Sequence, residues 1–168
     1  MSNIVLLGDP RVGKSSWLNR MQGIPVDINS YITTMDKSVT RMRFNNRDII
    51  VHDIGGYERY HKLLSLNYCI AHGALLFYDV TKTRSKDNLE YWRNKLPKEV
   101  PCIVVPNKCD LSSIHKGISC LKDDSTTVAQ PLKELLTMVP KPQTTTILEQ
   151  LLAYLYYFVS PVLSLQDE

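Results

Sequence analysis

The chain predicts a doubly wound α/β fold: a mostly parallel sheet with one antiparallel edge strand, in three αβα layers. Three observations point to it. Short apolar runs recur at residues 3–7, 74–78 and 102–105, each the length of a buried parallel strand. Segments with helical spacing lie between them. A turn bearing Gly, Asp or Asn follows each run, at the strand end where open α/β sheets place their ligands.

Residues 3–7 form the first strand, and Gly8-Asp9-Pro10-Arg11-Val12-Gly13-Lys14-Ser15-Ser16 follows it directly. Residues 15–21 continue as a helix with Trp17, Leu18 and Met21 on its apolar stripe. Residues 23–34 are a loop, broken by Gly23, Pro25, Asp27, Asn29 and Ser30. Residues 39–44 alternate: Thr40, Met42 and Phe44 face one way, Val39, Arg41 and Arg43 the other. That suits an edge strand with one wet face. Asn45-Asn46 takes the positive φ of a tight hairpin, and residues 48–54 return antiparallel and enter the sheet.

Gly55-Gly56 ends that strand, and residues 57–71 mix loop and irregular helix. Residues 74–78 are a buried strand closed by Asp79. Residues 85–95 read as one helix, with Leu89, Trp92 and Leu96 in register. Residues 102–105 form the next strand, and Asn107-Lys108-Cys109-Asp110 sits at its end. Residues 111–127 show no period. Residues 131–139 read as a helix stopped by Pro140-Lys141-Pro142. Thr146 and Glu149 make a capping box ahead of an apolar helix at 147–159.

Composition bounds the class. At 168 residues the chain forms one domain with a sizeable core, its part from 111 to 168 being the irregular one. A net charge of +3 with scattered basic residues gives no reason to expect nucleic acid. Cys69, Cys102, Cys109 and Cys120 show no C-x-x-C pairing, which fits a reducing, cytoplasmic setting better than disulfides or zinc. The nucleus is a second expected compartment. The last residues, Ser164 to Glu168, carry no cysteine, so no prenyl anchor is expected there. A monomer is expected.

The segment 8–16 has the spacing G-x-x-x-x-G-K-[ST], between a strand and a helix as that pattern requires. Gly13 lets the backbone turn its N–H groups inward, and the helix start adds positive charge where a phosphate would sit. Lys14 reaches outer phosphates, and the Ser15 hydroxyl can ligate Mg²⁺. Asp53-Ile54-Gly55-Gly56 is a D-x-x-G at a strand end. Its carboxylate can hold Mg²⁺ through water, and the Gly56 N–H can meet a terminal phosphate. In Asn107-Lys108-Cys109-Asp110, Asp110 can accept from N1–H and the 2-amino group of guanine, which adenine cannot match. The Lys108 stem can cover the base face.

In this order, each after its own strand, the three motifs resemble the Ras-superfamily small GTPases over residues 3 to about 110. Gly8-Asp9, Phe77-Tyr78-Asp79-Val80-Thr81, and Asn88-Leu89 followed by Trp92 look most like the Ran and Rab branches. The resemblance implies a P-loop NTPase-type fold that binds GTP or GDP with Mg²⁺. It implies nucleotide contacts from Asp9, Pro10, Arg11, Val12, Gly13, Lys14, Ser15, Ser16, Thr34, Gly56, Asn107, Lys108 and Asp110. Metal would be held by Ser15, Thr34 and, through water, Asp53. Lys14 and Gly56 would act on the γ-phosphate. Loops 24–36 and 55–66 would be the switches that read protein effectors.

Three departures matter. Tyr57 stands where the family usually has the Gln that orients the attacking water, and it lacks that amide. Pro10 removes a loop N–H, and Arg11 is expected to be a solvated surface charge. The base-contacting Ser-Ala-Lys motif has two candidates. Ile118-Ser119-Cys120-Leu121-Lys122 is one, leaving 131–139 as the last core helix. Thr144-Thr145-Thr146 is the other, with 131–139 penultimate and 147–159 last; the apolarity of 147–159 tilts the reading towards it. Neither supplies a sixth strand. The function expected is a switch that hydrolyses GTP slowly; the alternative is a GTP-holding scaffold with little or no hydrolysis.

Overall fold

The computed structural model describes residues 1–26, 37–55, 65–112, 114 and 116–141. The described residues form a five-stranded sheet in the order β2-β3-β1-β4-β5. The strands are β1 (Ser2–Leu7), β2 (Lys37–Phe44), β3 (Arg47–Ile54), β4 (Gly73–Asp79) and β5 (Cys102–Asn107). All neighbours are parallel except β2 and β3. The helices are α1 (Lys14–Met21), α2 (Ser65–Cys69), α3 (Thr83–Asp87), α4 (Leu89–Arg93) and α5 (Ser125–Met138).

The hairpin turns as expected, with Asn45 at φ 47° and Asn46 at φ 59°. On β2, Met42 and Phe44 pack against the core while Val39, Arg41 and Arg43 are exposed. Every residue of β1 and β4 is buried, as central parallel strands require. Two apolar clusters lie on the two faces. One joins Ile4, Leu6, Leu75 and Phe77 to Trp17 of α1 and Leu132 and Leu135 of α5. The other joins Val5, Leu7, Ala74 and Leu76 to Tyr68 and Trp92.

Two helices differ from expectation. The helix expected over 85–95 is two short ones, α3 and α4, separated by Asn88. Asn is a weak helix former, and this side chain is engaged elsewhere, on Asp9. The helix expected from residue 131 begins at Ser125 instead. Asp124 caps it, accepting from the Thr127 N–H at 2.8 Å, and Pro131 lies inside it. A proline read as a helix start was in fact a tolerated interruption. One residue past the start of the broken ladder, the Val128 carbonyl accepts the Trp17 indole N–H at 2.8 Å.

α5 packs beside α1 and against β4 and β5, on the face that carries Trp17. The choice between 131–139 as the last core helix and as the penultimate one turns on residues beyond 141, outside the described ones. The expected 147–159 helix lies outside the described residues. Among the described residues a single bridge, Asn107 to Ile118, stands beside β5.

Candidate functional site

The turn from β1 into α1 is built by backbone that few residues tolerate. Gly8 has φ 139° and Gly13 φ 100°, and Arg11 takes φ 65°. A Cβ on Gly8 would collide with the Phe77 carbonyl, and one on Gly13 with the Asn107 amide. Lys14 is only 6% exposed. Its Nζ donates to the carbonyls of Gly8 at 2.7 Å and Asp9 at 3.0 Å, so the loop wraps its own lysine. Burial lowers the Lys14 pKa to about 8, opposed by the charges of Asp53 and Asp9.

Asp53 lies buried at the end of β3, beside β1. Its Oδ2 accepts from the Ser15 hydroxyl at 2.5 Å. Its Oδ1 is buried without a hydrogen-bond partner. Burial raises its pKa, while the Ser15 hydrogen bond and the Lys14 charge pull it down. A hydroxyl beside a carboxylate with an unsatisfied buried oxygen is a hard-oxygen donor set, and it fits Mg²⁺.

The third segment closes on the first. Asn107, 1% exposed at the end of β5, donates through Nδ2 to the Val12 carbonyl at 2.8 Å. Lys108 follows at φ 65°. Its Nζ donates to Asp79 Oδ2 at 2.7 Å, while Asp79 Oδ1 accepts from the Thr81 N–H and hydroxyl at 3.0 and 2.6 Å. Burial would push the Asp79 pKa up, but the Lys108 and Thr81 hydrogen bonds hold it below the usual carboxylate value.

Ser119, Cys120 and Leu121 arrive at the same place. Ile118 N–H donates to the Pro106 carbonyl at 2.9 Å, and Cys109 N–H to the Ile118 carbonyl at 3.2 Å. Cys120 Sγ donates to Asn107 Oδ1 at 3.4 Å, and burial pushes its thiol up to about 12. Ser119 N–H is held by Asp123 Oδ2 at 2.6 Å. An open pocket of about 310 Å³ results, lined by Arg11, Gly13, Ser16, Lys108, Asp110, Ser119, Cys120 and Leu121 among others. Asp110 faces Lys122 at 3.8 Å. Residues 118–122, one of the two base-side candidates, thus meet the 107–110 turn, while 144–146, the other, lie outside the described residues.

The structure thus brings together Pro10 to Ser16, Asp53, Asn107 to Asp110 and Ser119 to Leu121. Arg11 is exposed, as expected. Thr34, Gly56 and Tyr57 lie outside the described residues, as does most of both switch loops. Asp9 keeps its backbone in the loop, but its carboxylate is turned away from it. Its Oδ1 accepts the Trp92 indole N–H at 2.8 Å and its Oδ2 the Asn88 amide at 2.9 Å, leaving its carbonyl to Lys14. An acid flanked by a strand and a loop glycine reads as a loop group; its helix partners lie about 80 residues on, beyond local spacing.

Three supporting residues were missed: Asp79, Thr81 and Asp123. For Asp79 a signal existed. An acid closing a fully apolar strand is buried and needs a cationic partner.

The fold and site define a phosphate-loop α/β domain of the small-GTPase type. A sequence model of the Ras family matches residues 3–144. The chain belongs to the Ras family. Among similar proteins is Ras-related protein Rab11A of Lotus japonicus, 34% identical over 64% of this chain and 51% of its own length. Ras-related protein YPTC6 of Chlamydomonas reinhardtii is 32% identical over 94% of this chain and 76% of its own. Rab-like protein 2B of Homo sapiens is 35% identical over 64% of this chain and 50% of its own. Several matches thus span about half of the relative's length. The Rab side of the expected resemblance is the one these relatives carry.

Proposed function

We propose that the chain is a guanine-nucleotide switch that binds GTP and GDP with Mg²⁺ and hydrolyses GTP slowly. The observation that carries this is the convergence of Lys14, the Ser15–Asp53 pair and the 107–110 turn at the C-terminal ends of β1, β3 and β5. Lys14 supplies the charge for outer phosphates. Asp110 accepts from the guanine N1–H and 2-amino group, the Lys108 stem covers the base, and residues 119–121 wall its far side. Ser15, Asp53 through water and Thr34 would hold Mg²⁺, which when bound neutralises charge between the phosphates. Gly56 would meet the terminal phosphate, and loops 24–36 and 55–66 would present the nucleotide state to protein effectors in the cytoplasm.

Identification of the nucleotide released from purified, denatured protein tests this. GDP or GTP is expected. Equal retention of ATP and GTP on reloading overturns it. Tyr57 favours a second reading, a scaffold that holds GTP with scarcely any hydrolysis. Single-turnover hydrolysis separates the two.

A further inference from the structure

The Asp9 carboxylate is a phosphate-loop group spent on a helix. Both of its oxygens are taken from the far side, by Trp92 Nε1 at 2.8 Å and Asn88 Nδ2 at 2.9 Å. Its carbonyl is one of the two that hold Lys14 Nζ. One residue therefore faces two ways. Its side chain is pinned by the α3–α4 segment, and its backbone shapes the cradle of the lysine.

The pin is rigid at its helix end. Trp92 is 2% exposed and packs among Val5, Leu7, Leu76 and Leu96. Its ring meets Tyr91 edge-on at 5.4 Å, and Tyr91 carries the Lys95 ammonium over its face at 4.4 Å. Asn88 stands at the break between α3 and α4, with its side chain committed to Asp9. Hydrogen bonds to a carboxylate are roughly twice as strong as neutral ones, and more so out of water.

We propose that Trp92 and Asn88 are positioning residues for the phosphate loop: through Asp9 they set how tightly it holds a nucleotide phosphate, making α4 a handle on nucleotide release. This rests on the nucleotide-binding reading above. A partner that shifts α4 would loosen the Lys14 cradle without touching the pocket.

The test is the release rate of a fluorescent GDP analogue from the full chain, with Mg²⁺ fixed. Trp92→Phe keeps the packed ring and deletes the indole donor. Asn88→Ala deletes the other donor at a half-buried position. Each is expected to speed release about tenfold, the scale of one hydrogen bond to a charged group. Trp92→Phe combined with Asp9→Asn should be no faster than the faster single variant, because both cut the same link. Trp17→Phe is the control. It deletes an equally buried indole hydrogen bond, also 2.8 Å, that ends on α5 instead. Its release rate should stay near wild type.

The inference fails if Trp92→Phe and Asn88→Ala release at the wild-type rate. It also fails if Trp17→Phe speeds release as much, or if the double variant shows the product of the single effects. Should Trp92→Phe not fold, Asn88→Ala decides alone. Wild-type protein that retains no guanine nucleotide overturns the proposed function instead. Amide hydrogen exchange of the 8–16 peptide then decides the clamp: faster exchange in Asn88→Ala than in wild type and Trp17→Phe upholds it, equal exchange ends it.

Discussion

Asn107 holds the Val12 carbonyl across 95 residues of sequence, 2.8 Å from Nδ2 to oxygen. This one bond ties the phosphate loop to the turn proposed to read the base. The asparagine is fully buried, and its own Oδ1 accepts from the Lys108 N–H at 2.8 Å and from Cys120 Sγ. The two ends of a nucleotide would thus be met by segments that hold each other.

Asp110→Asn is expected to weaken guanine-nucleotide binding and to favour xanthine nucleotides. Losing one charge-assisted partner should cost about 1.5–3 kcal/mol, roughly ten- to a hundredfold in affinity. Competition between GDP and xanthosine diphosphate measures it. An unchanged preference removes Asp110 from base recognition.

Lys14→Ala is expected to lose most nucleotide affinity, since Lys14 is the cation the loop encloses. Ser15→Asn should disturb the Mg²⁺ site and favour the diphosphate over the triphosphate. If Lys14→Ala copurifies with as much nucleotide as wild type, the loop does not bind phosphate in this way.

Asp79→Asn gives a pH signature. The folded-state pKa of Asp79 lies below its ordinary value, so its stabilising effect is complete above about pH 4. That effect fades as pH falls through the lowered folded value. Wild type should therefore exceed Asp79→Asn in urea stability by a constant margin from pH 7 to about 5, narrowing below pH 4. A margin that grows on acidification contradicts the Lys108–Asp79 pairing.

Tyr57→Gln should raise GTP hydrolysis. The in-line water needs a positioning group beside the γ-phosphate, and losing one commonly costs on the order of 10²-fold. A phenol with a pKa near 10 is a poor base at neutral pH. Wild-type turnover equal to that of relatives with Gln at this place, without a partner, sinks the point.

Most of the sheet was legible because central strands announce themselves: residues 4–7 and 74–78 are apolar on both faces, and Asn45-Asn46 marks the hairpin. The phosphate loop and the 107–110 turn were legible because each depends on residue types at fixed spacing. What escaped was long-range. Nothing local tells that Asp9 belongs to Trp92, that Asp79 carries Lys108, or that Ile118 returns beside Asn107. The start of α5 escaped for a different reason. Asp124 capped it in plain view, but Pro131 drew the boundary to itself.

Among the described residues β5 is the last strand of the sheet, and its alternation turns the N–H and C=O groups of Cys102 and Val104 away from β4. Val104 is 47% exposed. Yet little of this margin is open to a visiting strand. Pro101 stands before it, Pro106 offers no N–H, and the Pro106 carbonyl is already given to Ile118. Two prolines five residues apart shorten the pairing rim of β5, so among the described residues this edge is a poor template for a second strand.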